Sequence, residues 1–290
     1  MERLEILKTY KIFIGGQFPR SESGRYYVVS DKKGNPLANI CLSSRKDARN
    51  AVVAARKAFG SWSEKTAFNR GQILYRIAEM LEGRKEQFVA ELIKQGSSQK
   101  AAEKEVELSI DRIVYYAGWA DKYQQISSTV NPVSSSHFNF SVLEPMGVVG
   151  VSCPQDSSLL GLVSTIIPVI TGGNTVVALA SESLPLCAIT FTEALNSSDV
   201  PGGVVNILTG TQNEVVATLA SHMDVNALVG STNDLNSFSE AAVDNLKRLI
   251  SFDADWTKSE AQGLHFISDV QEVKTTWHPI ENIGGATSSY

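Results

Sequence analysis

Cysteine is sparse in this sequence. Cys41, Cys153 and Cys187 are spread over 290 positions, with no CxxC pair and no metal-ligand spacing. A small, odd set excludes a disulfide framework and fits a reducing compartment, the cytoplasm by default. Histidine is equally thin. His137, His222, His265 and His278 stand far apart, whereas a zinc site needs clustered ligands, so no metal is expected. Basic residues fall short of acidic ones, 26 against 31, for a net charge of -5. A dedicated binder of nucleic acid or of an anionic membrane needs a basic patch, so both classes are set aside. Long apolar runs are missing too. The most apolar stretch, Leu159 to Ile170, is too short for a bilayer, which takes roughly 20 apolar residues. No apolar core of a signal peptide is read near the N-terminus.

What is present is the composition of a globular domain: 43% hydrophobic and 20% charged residues, enough for a substantial core. Lys11 to Phe18 reads as strand, Gly15-Gly16 turn and strand, and Tyr26 to Ser30 as a short strand before a turn at Lys33-Gly34-Asn35-Pro36. Helices follow. Ser44 with Asp47 three positions on is an N-terminal cap for a helix carrying Ala48, Val52, Ala55 and Phe59. Further helices are expected over Ala67–Leu81, Lys85–Lys94 and about Gln99–Ile126, and the run Glu103, Glu105, Glu107 reads as a solvated helix face. A polar loop, Ser127 to Ser136, leads into an extended segment with Phe138, Phe140 and Val142 alternating.

From Gly147 short apolar strands alternate with helices. Strands are expected at Val148–Val151, Asn174–Leu179, Val204–Leu208, Ala227–Val229 and Leu249–Phe252. Helices lie between them at about Leu159–Ile170, Pro185–Leu195, Asn213–Ser221 and Leu235–Asn245. That alternation predicts an α/β fold with a doubly wound parallel sheet. His265-Phe266-Ile267 and Val273–Ile280 look strand-like, and the small polar tail from Gly284 to Tyr290 is expected to be disordered.

Several runs, in order, resemble the aldehyde dehydrogenase family. They are Tyr10–Phe18, the Ala48–Phe59 helix with Trp62, and Leu143-Glu144-Pro145-Met146-Gly147-Val148-Val149-Gly150-Val151. Gly173-Asn174-Thr175-Val176-Val177 and Val200-Pro201-Gly202-Gly203-Val204-Val205-Asn206 follow. Gly230-Ser231-Thr232 and Asn245-Leu246-Lys247-Arg248 complete the series. One tripeptide means little; the ordered series is specific. The resemblance implies a Rossmann-like fold of the aldehyde dehydrogenase type, wrapped by N-terminal helices, with a small β oligomerisation flap.

The family's site positions are mostly altered here. Where the resemblance places an oxyanion-stabilising asparagine, the run Pro154-Gln155-Asp156-Ser157-Ser158 has Asp156, whose charge opposes a developing oxyanion. Where a lysine and a glutamate would hold the adenosine ribose, Leu179-Ala180-Ser181-Glu182 keeps only Glu182. Gln212 and Val216 replace glycines of the phosphate turn, adding bulk where backbone must come close. Gly230 and Ser231 match the pyrophosphate-contacting turn, where a helix N-terminus can hold an anion. Phe252 falls at the general-base glutamate, and no cysteine follows Cys187 to form a thiohemiacetal. Cys153, near a strand-to-helix turn, has no adjacent histidine and reads as buried and structural. Gly202, Gly203 and Gly210 read as turn glycines rather than cofactor contacts.

Glu272 to Ile280 resembles the family's terminal oligomerisation strand. The chain thus reads as passing from the nucleotide-binding fold to that strand with the catalytic domain missing, as in the truncated second unit of two-domain members of the family. The expected division is residues 1–126 packing on the Rossmann-like unit, 127–142 as the first part of the flap, 143–253 as the degenerate NAD-binding domain, 254–283 as the C-terminal strands, and 284–290 as tail. The expected role is a non-catalytic pseudo-domain that supports a complete aldehyde dehydrogenase domain, in the same polypeptide or another subunit, and forms a homo-oligomer. Phe138, Phe140, Val273, Thr275 and Trp277 would make the assembly contacts. No cofactor is expected; weak NAD binding through Glu182, Gly230 and Ser231 is the fallback. Two alternatives stay open: an NAD(P)-dependent oxidoreductase acting on aldehydes as part of a longer polypeptide, or a cofactor-sensing fragment; and a protein-interaction module.

Overall fold

The computed structural model describes residues 6–280. Its centre is a five-stranded parallel sheet of Val148–Ser152, Thr175–Leu179, Val205–Leu208, Ala227–Gly230 and Arg248–Ser251. Val148–Ser152 lies in the middle. The next two strands add on one side, and the last two on the other. Both faces of the sheet are buried, which is why its strands are near-continuous runs of Val, Ile, Leu and Ala rather than alternating ones. Val148, Val177, Leu179 and Leu228 face the helices Arg45–Ser63 and Gln212–Ser221, while Val149, Val151, Val176 and Val229 face Leu160–Thr171.

The N-terminal helices follow their local signals. Ser44 and Asp47 form a reciprocal capping box on Arg45–Ser63. Asp47 also accepts from Ser21 Oγ at 2.8 Å and Glu22 N at 3.0 Å, pinning the preceding loop. The helix buries Ala48, Ala51, Val52, Ala55, Ala58 and Trp62. Its alanines allow close approach to the sheet, and Trp62 Nε1 donates to Ile170 O at 3.0 Å. Gly203 is held by the same approach. Its φ is +96°, and a Cβ there would lie 2.6 Å from Ala54 O.

Five local expectations are corrected. The long helix stops at Trp119 and a separate turn of helix covers Tyr123–Ser127. Gly118 weakens the last turn, Lys122 Nζ takes the Gly118 carbonyl at 2.8 Å, and burial of Tyr123 pulls the chain inward. The helix expected over 235–245 is α-helical only at Thr232–Phe238, then 3-10 over Glu240–Asn245. Lys11–Phe18 makes its glycine turn, closed by a single antiparallel bridge from Ile14 to Gln17 rather than by longer strands, and Phe13 bridges to Ile207 at the sheet edge. His265–Ser268 is helical, since Phe266 and Ile267, adjacent in sequence, are both buried. The loop at 127–136 contains a strand, Thr129–Asn131, and the unforeseen strand Pro36–Cys41 pairs between Thr9–Tyr10 and Tyr26–Ser30. The tail expectation for Gly284–Tyr290 lies outside the described residues.

The last strand, Gln271–Pro279, runs antiparallel to His137–Pro145 over nine residue pairs, and Thr129–Asn131 completes this third sheet.

Candidate functional site

In an open parallel sheet, ligands enter beyond the carboxyl ends of the strands, where the strand order reverses. Here that point lies between Val148–Ser152 and Ala227–Gly230. A cavity of about 330 Å³ opens there. Ser152 and Gly230 end its central strands, Ser231 follows Gly230, Phe252 and Asp253 follow the edge strand, and Gln155, Asp156, Thr165 and Asp234 add to the polar lining.

Several polar groups of this crevice are engaged with one another. Gln212 Nε2 donates to Ser152 Oγ at 3.2 Å, and Ser152 Oγ donates to Asp234 Oδ2 at 3.2 Å. Ser231 caps the Thr232–Phe238 helix by accepting from Asp234 N. Asp253 accepts from Thr232 N at 3.1 Å and from the Thr232 hydroxyl. Beside the crevice, the helix Leu160–Thr171 has from its own segment no cap on the N–H groups of Leu159 and Leu160, since Ser157 Oγ takes only Gly161 N, at 2.8 Å. Glu105, from the long helix, supplies one: its Oε1 accepts from Leu159 N at 3.0 Å, Leu160 N at 3.2 Å and Ser157 Oγ at 3.1 Å. A carboxylate at a helix N-terminus is favoured by the helix dipole. Glu105 is therefore a structural anion, not part of a solvated face.

The positions singled out from sequence separate in space. Gly230, Ser231, Asp156 and Phe252 meet at the cavity; Glu182 does not line it. Glu182 is exposed, donating its N–H to Gln155 Oε1 at 2.9 Å, while its carbonyl accepts from Tyr27 OH at 3.1 Å. Leu179 and Val216 are fully buried core residues. Phe252 is buried and meets Phe266 edge-on at 4.5 Å. Cys153 is buried, and burial pushes its thiol up to about 12; Cys187 is raised well above its ordinary value for the same reason. Neither is a thiolate near neutrality.

The Asn245-Leu246-Lys247-Arg248 run is a fastening. Asn245 Nδ2 and Lys247 Nζ both donate to Val225 O, at 3.0 and 2.6 Å. Burial lowers the Lys247 ammonium to about 8. Arg248 donates to Asp269 O, to Gln271 O at 2.7 Å and to Glu272 Oε1 at 3.0 Å, clamping the terminal strand to the parallel sheet. Asn174 adds a second clamp, donating to Val270 O at 2.8 Å.

The third sheet splits the five proposed assembly residues between its faces. Phe138 and Phe140 share one face; Val273, Thr275 and Trp277 share the other with Asn139 and Ser141. Val273 is 67% exposed and Trp277 55%. The outer edge of Gln271–Pro279 has no partner strand among the described residues.

One buried carboxylate belongs to the scaffold. Glu91 accepts from Tyr10 OH and Thr190 Oγ1, both at 2.7 Å. Burial raises its pKa, against the opposing effect of those two bonds. A raised carboxyl favours the protonated folded state, so this contribution is fully present below the unfolded value of 4.5 and is lost as pH rises through the higher folded value. Glu91→Gln, which keeps both acceptor bonds, is expected to gain stability relative to wild type between pH 4.5 and pH 7. Urea midpoints at the two pH values check this, and an equal difference at both would refute it.

A sequence profile of the aldehyde dehydrogenase family matches residues 18–251. The chain belongs to this family. It is 31% identical over 258 residues to cytosolic 10-formyltetrahydrofolate dehydrogenase of Mus musculus, covering 86% of this chain and 29% of that protein. It is 37% identical over 257 residues to retinal dehydrogenase 2 of Gallus gallus, covering 85% and 48%. The NAD+ complex of an aldehyde dehydrogenase from Bacillus cereus superposes with a TM-score of 0.79 at 26% identity, over 84% of this chain and 51% of that one. The chain therefore spans about half or less of the length of these relatives. The α/β fold with its parallel sheet is the family's. Among the described residues no helix is long and apolar enough to cross a membrane.

NAD fits these residues poorly. Among the described residues no lysine or arginine lines the cavity, three carboxylates do, and Leu179 sits in the core where the resemblance places a ribose-binding lysine.

Proposed function

We propose that this chain is a non-catalytic aldehyde dehydrogenase unit. Its role is to assemble with a complete aldehyde dehydrogenase unit, in the same polypeptide or in another subunit, in the cytoplasm. The observation that carries this reading is Phe252. At the end of the edge strand, where the resemblance places the general base, a phenyl ring is packed into the core against Phe266. Residues 252–270 then lead directly to the strand Gln271–Pro279, which the Arg248 clamp holds against the sheet. The third sheet acts as the oligomerisation flap. Its unpaired edge and exposed Val273 and Trp277 form a surface that a further strand would cover.

Two measurements test this. Purified protein given NAD+ and a short-chain aldehyde is expected to form no NADH; turnover above the blank sinks the reading. Co-purification with a full-length aldehyde dehydrogenase is expected for the wild type. It should be lost in a Val273→Asp, Trp277→Asp double variant whose melting temperature is unchanged; equal capture by both proteins would remove the flap from the assembly.

The alternative is an NAD(P)-dependent oxidoreductase acting on aldehydes as part of a longer polypeptide, or a fragment that senses its cofactor. It is supported by the dehydrogenase names of the relatives and by the share of their length that this chain covers. Activity that appears only when the part of those relatives not covered by this chain is supplied would favour it.

A further inference from the structure

We infer that the crevice is closed to dinucleotides by the chain's own carboxylates, Asp253 and Asp234 above all, acting as resident anions in the space a pyrophosphate would need. The inference is independent of the assembly reading, because a unit with an open cofactor site could assemble equally well.

A pyrophosphate carries negative charge that must meet N–H donors or cations. Carboxylates of the chain already hold one backbone donor beside the Gly230-Ser231 turn and two at the helix N-terminus that borders the adjoining cavity. Asp253 holds the N–H and hydroxyl of Thr232, and Glu105 holds the N–H groups of Leu159 and Leu160. The hydroxyl of Ser152 is committed to Asp234 and accepts from the Gln212 carboxamide, so the strand end is tied to both neighbouring helices. The remaining charges lining the cavity are of one sign, Asp156 with Asp234 and Asp253. An adjoining cavity of about 390 Å³, which shares Asp156 and Trp256, contributes one cation, Lys104, beside two further carboxylates, Glu105 and Asp255. Like charge facing like charge across a partly enclosed site weakens binding by at least about tenfold. The electrostatics of this crevice are thus inverted relative to what a dinucleotide requires. The inversion resides in side chains, since the backbone path of strand, turn and helix is retained.

The test uses the whole chain and isosteric changes. Asp156→Asn, Asp234→Asn and Asp253→Asn together remove three charges, while the amide oxygens at 234 and 253 can still accept the bonds their carboxylates accepted. Wild type and triple variant are titrated calorimetrically with inorganic pyrophosphate and with NAD+ at low salt. The wild type is expected to give no saturable heat with either ligand at millimolar concentration. The triple variant is expected to bind pyrophosphate at least about tenfold more tightly than the wild-type limit, with an affinity that falls as salt is added. It should bind NAD+ no better than pyrophosphate, because Leu179 and Gln212 remain. Saturable binding of NAD+ by the wild type would overturn the inference. So would a triple variant that melts like wild type and is equally blind to pyrophosphate. Should the triple variant not fold, Asp253→Asn alone is titrated in the same way, and the same two outcomes decide.

Discussion

Arg112→Met is expected to lower stability by about 2–4 kcal/mol and the melting temperature by about 5–12 °C. Arg112 sits on the long helix, 2% exposed. Its guanidinium donates to Ser164 Oγ at 2.6 Å, to Ala261 O at 2.7 Å and to Trp256 O at 3.0 Å. It has no carboxylate at salt-bridge distance among the described residues, and burial lowers its pKa, yet a guanidinium stays charged at any ordinary pH. One side chain thus straps the segment after the edge strand onto two helices. Methionine fills the space but donates nothing, so two buried carbonyls lose their partners at about 1–3 kcal/mol each. Relief of the guanidinium's own desolvation offsets part of that. Urea denaturation measures the change, and limited proteolysis within residues 253–263 should accelerate alongside it. A variant within about 0.5 kcal/mol of wild type would show that packing of Trp256, not the guanidinium, holds this segment.

Phe252→Glu is expected to cost about 3–5 kcal/mol and to produce no aldehyde oxidation. The ring is 6% exposed and makes an edge-on contact with Phe266, which in turn contacts Trp256. A glutamate there exchanges that packing for a carboxylate with Asp253 adjacent in sequence and Asp234 across the cavity. Restoring the residue type that the family resemblance calls for would not restore its chemistry. The nearby thiol, Cys153, is buried and pushed up to about 12, and so is no nucleophile. Denaturation of Phe252→Glu beside Phe252→Leu separates the charge from the lost ring; the leucine variant should lose about 1 kcal/mol. A glutamate variant as stable as the leucine one, or NADH formation by either, would contradict this account.

Much of the fold was readable because its causes are local. The Ser44–Asp47 box, the alanine face of the first helix and the apolar strands from Val148 onward each depend on residues within a turn or a strand of one another. The site was readable only in part. Asp156, Phe252, Gly230 and Ser231 stand where ordered motifs place them, and the crevice brings them together. Glu105 gave no signal, because its bonded partners lie 52 to 55 positions away and nothing in its own helix distinguishes it from Glu103 or Glu107. Asp253 likewise depends on Thr232, 21 positions before it. The helical turn at His265–Ser268 went against a strand-like pattern because burying two consecutive apolar residues outweighed propensity.

By itself, the sequence determined the alternation of strand and helix, and hence a doubly wound sheet. It also determined the family, and it put Phe252 and Leu179 where the family resemblance leads one to expect a carboxylate and a lysine. These follow from periodicity and from residue identity, which need no knowledge of distant neighbours. Only the tertiary structure decided that Glu105 and Asp253 take backbone donors of distant segments, that Arg112 straps down the segment after the edge strand, and that Phe138 and Phe140 lie on the opposite sheet face from Val273, Thr275 and Trp277. The reason is physical: a charge or a donor acquires its meaning from the group that satisfies it. Where that partner is brought in by a crossover many residues away, only the completed packing specifies it.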